Sequence, residues 1–73
     1  DARALRAQER VVLLNPSEPR YLRERARLYQ KIGAPQAAVR DLERVLKLLP
    51  FGFEAEAVRH ELEGARTATR HLN

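Results

Sequence analysis

RYLRERARLYQKIGAPQAAVRDLERVLKLLP, residues 20–50, holds two helical periods with one glycine between them. Before Gly33, apolar residues stand at Leu22, Ala26, Tyr29 and Ile32, the i, i+4, i+7, i+10 spacing of one helix face. After it, Ala38, Leu42, Val45, Leu46 and Leu49 mark one face of a second helix. Gly33 is placed to end the first helix, because glycine enters the left-handed backbone region without a Cβ clash. Pro35, two residues later, suits the first turn of the second helix, where the amide hydrogen it lacks would have no partner anyway. Pro50 stops that helix.

With these residues the segment resembles a tetratricopeptide repeat, a helix–turn–helix unit of about 34 residues that buries its apolar face only by stacking on its neighbours. Ala26 falls at the small residue of the repeat's first helix and Tyr29 at its aromatic. Gly33 falls at the turn glycine, Ala38 at the small residue of the second helix and Pro50 at the closing proline. One position departs from the pattern: Arg25 stands where a leucine is usual. A guanidinium at a packing position needs a partner. Asp41, which precedes the packing residue Leu42, is the expected one, with a backbone carbonyl of the preceding turn as the alternative.

Residues 1–14, DARALRAQERVVLL, extend the pattern backwards. Leu5, Val11, Val12 and Leu14, with Ala4 and Ala7, form an apolar stripe, and Asn15-Pro16 ends it. Ala4 matches Ala38, Leu5 matches Val39, Val11 and Val12 match Val45 and Leu46, Leu14 matches Leu48, and Pro16 matches Pro50, always at an offset of 34 residues. The opening helix is therefore expected to be the second helix of a preceding repeat, and its start inside a helical pattern suggests a piece of a longer protein. In the turn NPSEP, residues 15–19, Ser17 or Glu18 can cap the next helix and Pro19 suits its first turn. Phe51 and Phe53 are expected to pack back onto the preceding helix pair, with an exposed aromatic platform as the sharper alternative. The last helix should run from about Glu54 toward Leu72, with Val58, Leu62, Ala65 and Leu72 on one face and fraying past Ala65. Its polar opposite face is of the kind that closes a solenoid. The predicted architecture is all-α, a single antiparallel tetratricopeptide-like solenoid fragment of about four helices. Residues 1–15 are the second helix of a preceding repeat, 19–50 one full repeat and 53–72 a capping helix.

Taken together, the sequence also resembles the C-terminal tail of the bacterial SirB-type family, in which a transglutaminase-like domain precedes tetratricopeptide repeats. The match rests on the Leu14-Asn15-Pro16 turn, the Arg23-Glu24-Arg25-Ala26 run, the Asp41-Leu42 pair and an aliphatic terminal helix after the second proline. That pattern usually has Asp and Gly where this chain has Glu24 and Ala26, and a further proline near Phe53. The resemblance implies that any catalytic Cys and His lie outside these residues.

Composition narrows the function classes. At 73 residues the chain makes one small domain at most, burying roughly 60 % of its unfolded surface. Without cysteine it can build neither a disulfide framework, a thiolate zinc site nor a cysteine nucleophile. No apolar run approaches the roughly 20 residues of a membrane span and no charged-then-apolar leader opens the sequence, so no membrane partner is expected and the cytoplasm is the expected compartment. The two histidines, His60 and His71, are eleven residues apart, about 16 Å along a helix and too far to share a metal. His60 with Glu56 and Glu63 is better read as a solvated face than as a metal site. Ser17, the sole serine, sits in a turn. The residues present offer no catalytic constellation, metal site or cofactor site.

Charge offers more. The net charge is +4 and the isoelectric point about 10.3. Arg20, Arg23, Arg27, Gln30 and Lys31 fall at i, i+3, i+7, i+10 and i+11, one polar stripe of the first repeat helix. By the resemblance, that helix lines the concave surface on which such repeats hold peptides. Arginine forks take carboxylates bidentately, so the expected partner is a protein or peptide, acidic or ending in a carboxylate. The competing expectation is that Glu56, His60 and Glu63 of the last helix neutralise Arg23 and Arg27. Three further readings stand beside it: a tail supporting a missing transglutaminase-like enzyme domain, nucleic-acid binding through the arginines, and self-association through the uncovered first helix. Interspersed acids and the lack of an aromatic among the arginines weigh against nucleic acid.

Overall fold

The computed structural model describes residues 2–71, which form four helices: α1 (Ala2–Leu14), α2 (Pro19–Lys31), α3 (Pro35–Leu48) and α4 (Phe53–His71). Each packs on the next through a short turn, α1 on α2, α2 on α3 and α3 on α4. Proline opens both α2 and α3, where its fixed φ suits the first turn. Glu18 is the residue before α2, but its carboxylate caps no amide and instead accepts from Arg20 at 3.3 Å. Asn15 closes α1: its amide donates to Val11 and Val12 carbonyls, and its side-chain Nδ2 donates again to Val11 O at 3.1 Å.

The α2–α3 turn is closed as its glycine suggests. Gly33 has φ +79°. Its N–H donates to Gln30 O, and that of Ala34 donates to Tyr29 O at 2.8 Å. This paired closure satisfies two carbonyls that the end of a helix otherwise leaves open.

The core comprises Val12, Leu22, Ala26, Ala38, Leu42, Val45, Val58, Leu62 and Ala65, with Tyr21, Tyr29, Val39, Leu46 and Leu48 packed against it. Small residues at the crossings let the helices approach closely: Ala26, Ala38 and Ala65 are all but inaccessible. Leu28 is also buried, although the stripe from Leu22 through Tyr29 omits it. α2 is covered on both sides, by α1 and by α3, so its buried arc is wider than one stripe. Ile32, one residue beyond the last turn of α2, is 46 % exposed instead.

Three other sequence expectations are corrected. In α1 only Val12 is buried. Leu5 and Val11 are half-buried, Ala4 and Ala7 are exposed, and Leu14 is 80 % exposed. The face of α3 that Ala38 and Val45 bury is covered by both α2 and α4, whereas among the described residues α1 packs chiefly on α2. Phe51 and Phe53 do not fold back onto the helix pair; they are 86 % and 98 % exposed. They flank Gly52 (φ +106°) in a turn that Arg59 holds by donating to Pro50 O at 2.5 Å. The buried side of α4 begins only at Ala55. Val58, Leu62 and Ala65 repeat the spacing of Leu22, Ala26 and Tyr29 at an offset of 36 residues, not 34, so the first helical residue faces water. Finally, α4 does not fray past Ala65 but continues to His71; the expected packing of Leu72 lies outside the described residues.

Gly64 lies inside α4 with helical backbone, and a Cβ there would meet nothing within 4 Å. Gly64→Ala is expected to stabilise the fold by about 1 kcal/mol, through the helix-propensity difference alone. Urea midpoints of the two proteins check this; a midpoint that falls would mean the site is not an open helix position.

Candidate functional site

Arg25 and Asp41 join α2 to α3 from within. Arg25 Nε donates to Asp41 Oδ2 at 2.8 Å and Nη2 donates to Oδ1 at 2.7 Å, a fork-to-fork pair. Asp41 is 5 % exposed, the one buried charged residue among those described. Its hydrogen bonds to Asp41 hold the Arg25 guanidinium above its ordinary pKa, against burial, which pulls it down. The same guanidinium lies 5.7 Å from the centroid of the Tyr29 ring, and the Tyr29 hydroxyl donates to Glu9 Oε2 at 3.3 Å. Burial raises the Tyr29 phenol above its usual pKa, with Arg25 pulling the other way. Gln8 of α1 adds a bond to Tyr21 O at 3.0 Å. These contacts tie α1, α2 and α3 together.

The arginine stripe of α2 faces α4. Arg23 Nε donates to Glu61 Oε1 at 3.0 Å, Nη2 to Glu61 Oε2 at 2.5 Å, and Nη1 to Glu54 Oε2 at 3.4 Å. Its pKa is raised, first by the hydrogen bond to Glu61. Arg20 pairs with Glu18 at 3.3 Å, and Arg27 sits 3.9 Å from Glu24 one turn back. Gln30 and Lys31 have side chains without a hydrogen-bonding partner, and both are exposed. The acids expected to quench the stripe are not the ones that do so. Glu56 pairs with Arg59, Glu63 pairs with Arg70, and His60 is exposed. Glu54 and Glu61 take their place. They are seven residues apart, so they share a face of α4, and that spacing was the sequence signal for them.

Two adjoining depressions follow the stripe. One, of about 430 Å³, is lined by Ala26, Arg27, Gln30, Lys31, Leu42 and Glu61. The other, of about 210 Å³, is lined by Arg20, Arg23, Glu24, Arg27 and Glu54. Arg27 lies in both. The five stripe residues are thus brought to one side of the molecule, but they are not equivalent. Arg20 and Arg23 are held by carboxylates in the smaller depression. Arg27, Gln30 and Lys31 rim the larger one, whose floor is the buried apolar pair Ala26 and Leu42. A third depression, of about 470 Å³, lies between α3 and the end of α4 and is lined by Gln36, Val39, Arg40, Arg66, Thr69 and Arg70. Sequence reasoning named none of its residues as a site, since Arg66 and Arg70 reach Arg40 only through the packing of α4 on α3. Among the described residues no group of three or more His, Asp or Glu could hold a metal ion.

The tetratricopeptide repeat pattern matches residues 1–63. This chain belongs to that family. Tetratricopeptide repeats generally serve protein–protein interaction, and the four stacked helices are of that type. The sequence is also similar to the UPF0162 proteins of two Xylella fastidiosa strains, Temecula1 and 9a5c, at 37 % identity over 60 residues in each case. Those residues make up 82 % of this chain but 21 % of each relative, so the chain spans about a fifth of their length. No solved structure matches it. No helix among the described residues is long and apolar enough to cross a membrane.

Proposed function

We propose that this tetratricopeptide repeat protein is an interaction module whose α2–α4 groove receives an acidic peptide or the terminal carboxylate of a partner protein. The observation that carries the reading is the division of the α2 stripe. Glu61, the one carboxylate lining the larger depression, is engaged by the Arg23 fork, while Lys31 and Gln30 at its rim have no internal partner. Arg27 has only a long, exposed contact with Glu24, of a kind that contributes about 0–1 kcal/mol and yields readily to a ligand carboxylate. An acidic side chain would meet Arg27 and Lys31, with the amide of Gln30 beside them to bond its backbone. Arg27→Glu with Lys31→Glu is expected to abolish binding of a glutamate-rich peptide in titration calorimetry and to leave helicity unchanged. Undiminished affinity in that variant would remove the groove from consideration.

We also propose, on the SirB-type resemblance, that these helices form the C-terminal region of a larger bacterial protein and support a transglutaminase-like domain. The match to about a fifth of bacterial relatives favours this reading. The gene's upstream coding sequence tests it. A Cys…His…Asp set there would support the reading, and an unrelated upstream domain would end it.

A further inference from the structure

The basicity of this protein is left over mostly on two of its helices. Among the described residues each carboxylate is engaged: Glu18, Glu24, Asp41, Glu43, Glu54, Glu56, Glu61 and Glu63 in ion pairs, and Glu9 by the Tyr29 hydroxyl. Half of the 14 lysines and arginines supply the partners. The other half have none, and apart from Lys31 they are confined to two helices: Arg3, Arg6 and Arg10 on α1, and Arg40, Arg44 and Lys47 on α3. All six are exposed. At 3.6 residues per turn each trio occupies an arc of about 60° in a row about 10 Å long. The 34-residue offset carries Arg6 onto Arg40 and Arg10 onto Arg44. α1 and α3 both pack on α2 through short turns and so run in the same direction, while Arg23 ties α2 to α4 on the other side. The rows therefore run in the same direction, on the two helices that flank α2 away from the groove.

We infer that this α1–α3 face binds the phosphate backbone of duplex nucleic acid without reading its sequence. Two parallel rows of like, unneutralised cations match a dense, regular polyanion. A peptide carboxylate in the depression of about 370 Å³ lined by Arg3, Arg6, Ala7 and Arg10 would engage one row only and leave the cations of the α3 row unmatched. The rows hold no aromatic ring on which a single-stranded base could stack. Of the exposed large apolar residues, Leu13 and Leu14 follow Arg10 at i+3 and i+4 at the very end of the α1 row, whereas Ile32, Phe51 and Phe53 stand outside both helices' rows, so the rows themselves present charge and not an apolar strip to a lipid surface. The inference is independent of the groove on the α2–α4 side.

Fluorescence anisotropy of a labelled random-sequence DNA duplex tests it. Each cation that meets a phosphate contributes about −0.9 to the slope of log affinity against log salt, so six predict a slope of about −5. Affinity should then fall about a thousandfold between about 50 and 200 mM salt. Replacing Arg6, Arg10, Arg40 and Arg44 together by Gln, which breaks no internal contact, should reduce the slope to about −2, with the circular dichroism spectrum unchanged. Three results would overturn the inference: no anisotropy change at the lower salt, a slope that the fourfold variant leaves as it was, or tighter retention by polyglutamate or anionic lipid vesicles than by the duplex.

Discussion

Asp41→Ala is expected to lower the free energy of unfolding by about 2–3 kcal/mol, chiefly by stranding a guanidinium. Asp41 is nearly inaccessible, and both its oxygens accept from Arg25 within 2.8 Å. Arg25 is itself about three-quarters covered, so without the carboxylate its cation stays largely desolvated and unpaired. Loss of one partner from a fully buried pair costs about 3–5 kcal/mol, and the residual exposure of Arg25 moderates that. For a domain of this size the loss corresponds to a fall in melting temperature of about 10–20 °C. Adding Arg25→Leu to Asp41→Ala is expected to restore stability to within about 1 kcal/mol, because the stranded charge goes and an apolar side chain fills its place. Urea unfolding of the three proteins distinguishes the cases. If the double variant is less stable than Asp41→Ala alone, Arg25 holds the helices by contacts other than the ion pair.

Leu42→Ala is expected to cost about 3 kcal/mol, within the range for emptying an enclosed leucine site. Leu42 is 1 % exposed and sits in the cluster formed with Leu22, Ala26, Val45, Val58 and Leu62. Several of these neighbours are already small or β-branched, so little can move to fill the space, and the cavity persists. Leu14→Ala is the matched comparison. The same atoms are removed from a side chain that water already reaches, and the change should stay within about 0.5 kcal/mol. Because Leu42 also forms part of the groove floor, the variant should deepen that depression, so peptide binding is best compared well below its melting temperature. A loss under about 1 kcal/mol would show that the helices close over the gap.

The interface of α2 with α3 was the most legible part of the molecule. Leu22, Ala26, Ala38, Leu42 and Val45 are buried because a period of 3.6 puts them on facing sides, and Gly33 turns the backbone because its φ is positive. Arg25 and Asp41 were legible as a pair for a different reason: a charge at a packing position has few tolerable fates. The candidate groove was only half legible. The spacing along α2 placed Arg20, Arg23, Arg27, Gln30 and Lys31 on one side. Which of them remain available depended on α4, whose register is shifted by two residues relative to the repeat. That shift brings Glu54 and Glu61, and not Glu56 and Glu63, to Arg23.

The sequence by itself determined the local and periodic features: four helices, the proline and glycine punctuation between them, the 34-residue repetition of α1 in α3, and membership of a repeat family. Only the tertiary structure decided which apolar residues are covered and which charges are neutralised. Phe53, Leu14 and Leu28 read alike as apolar residues, yet the first two face water and the third is buried. The physical reason is that burial and ion pairing are properties of two surfaces at once. A helix specifies its own stripe, but whether that stripe meets a neighbour, and at which rotation, is set by the crossing of the helices.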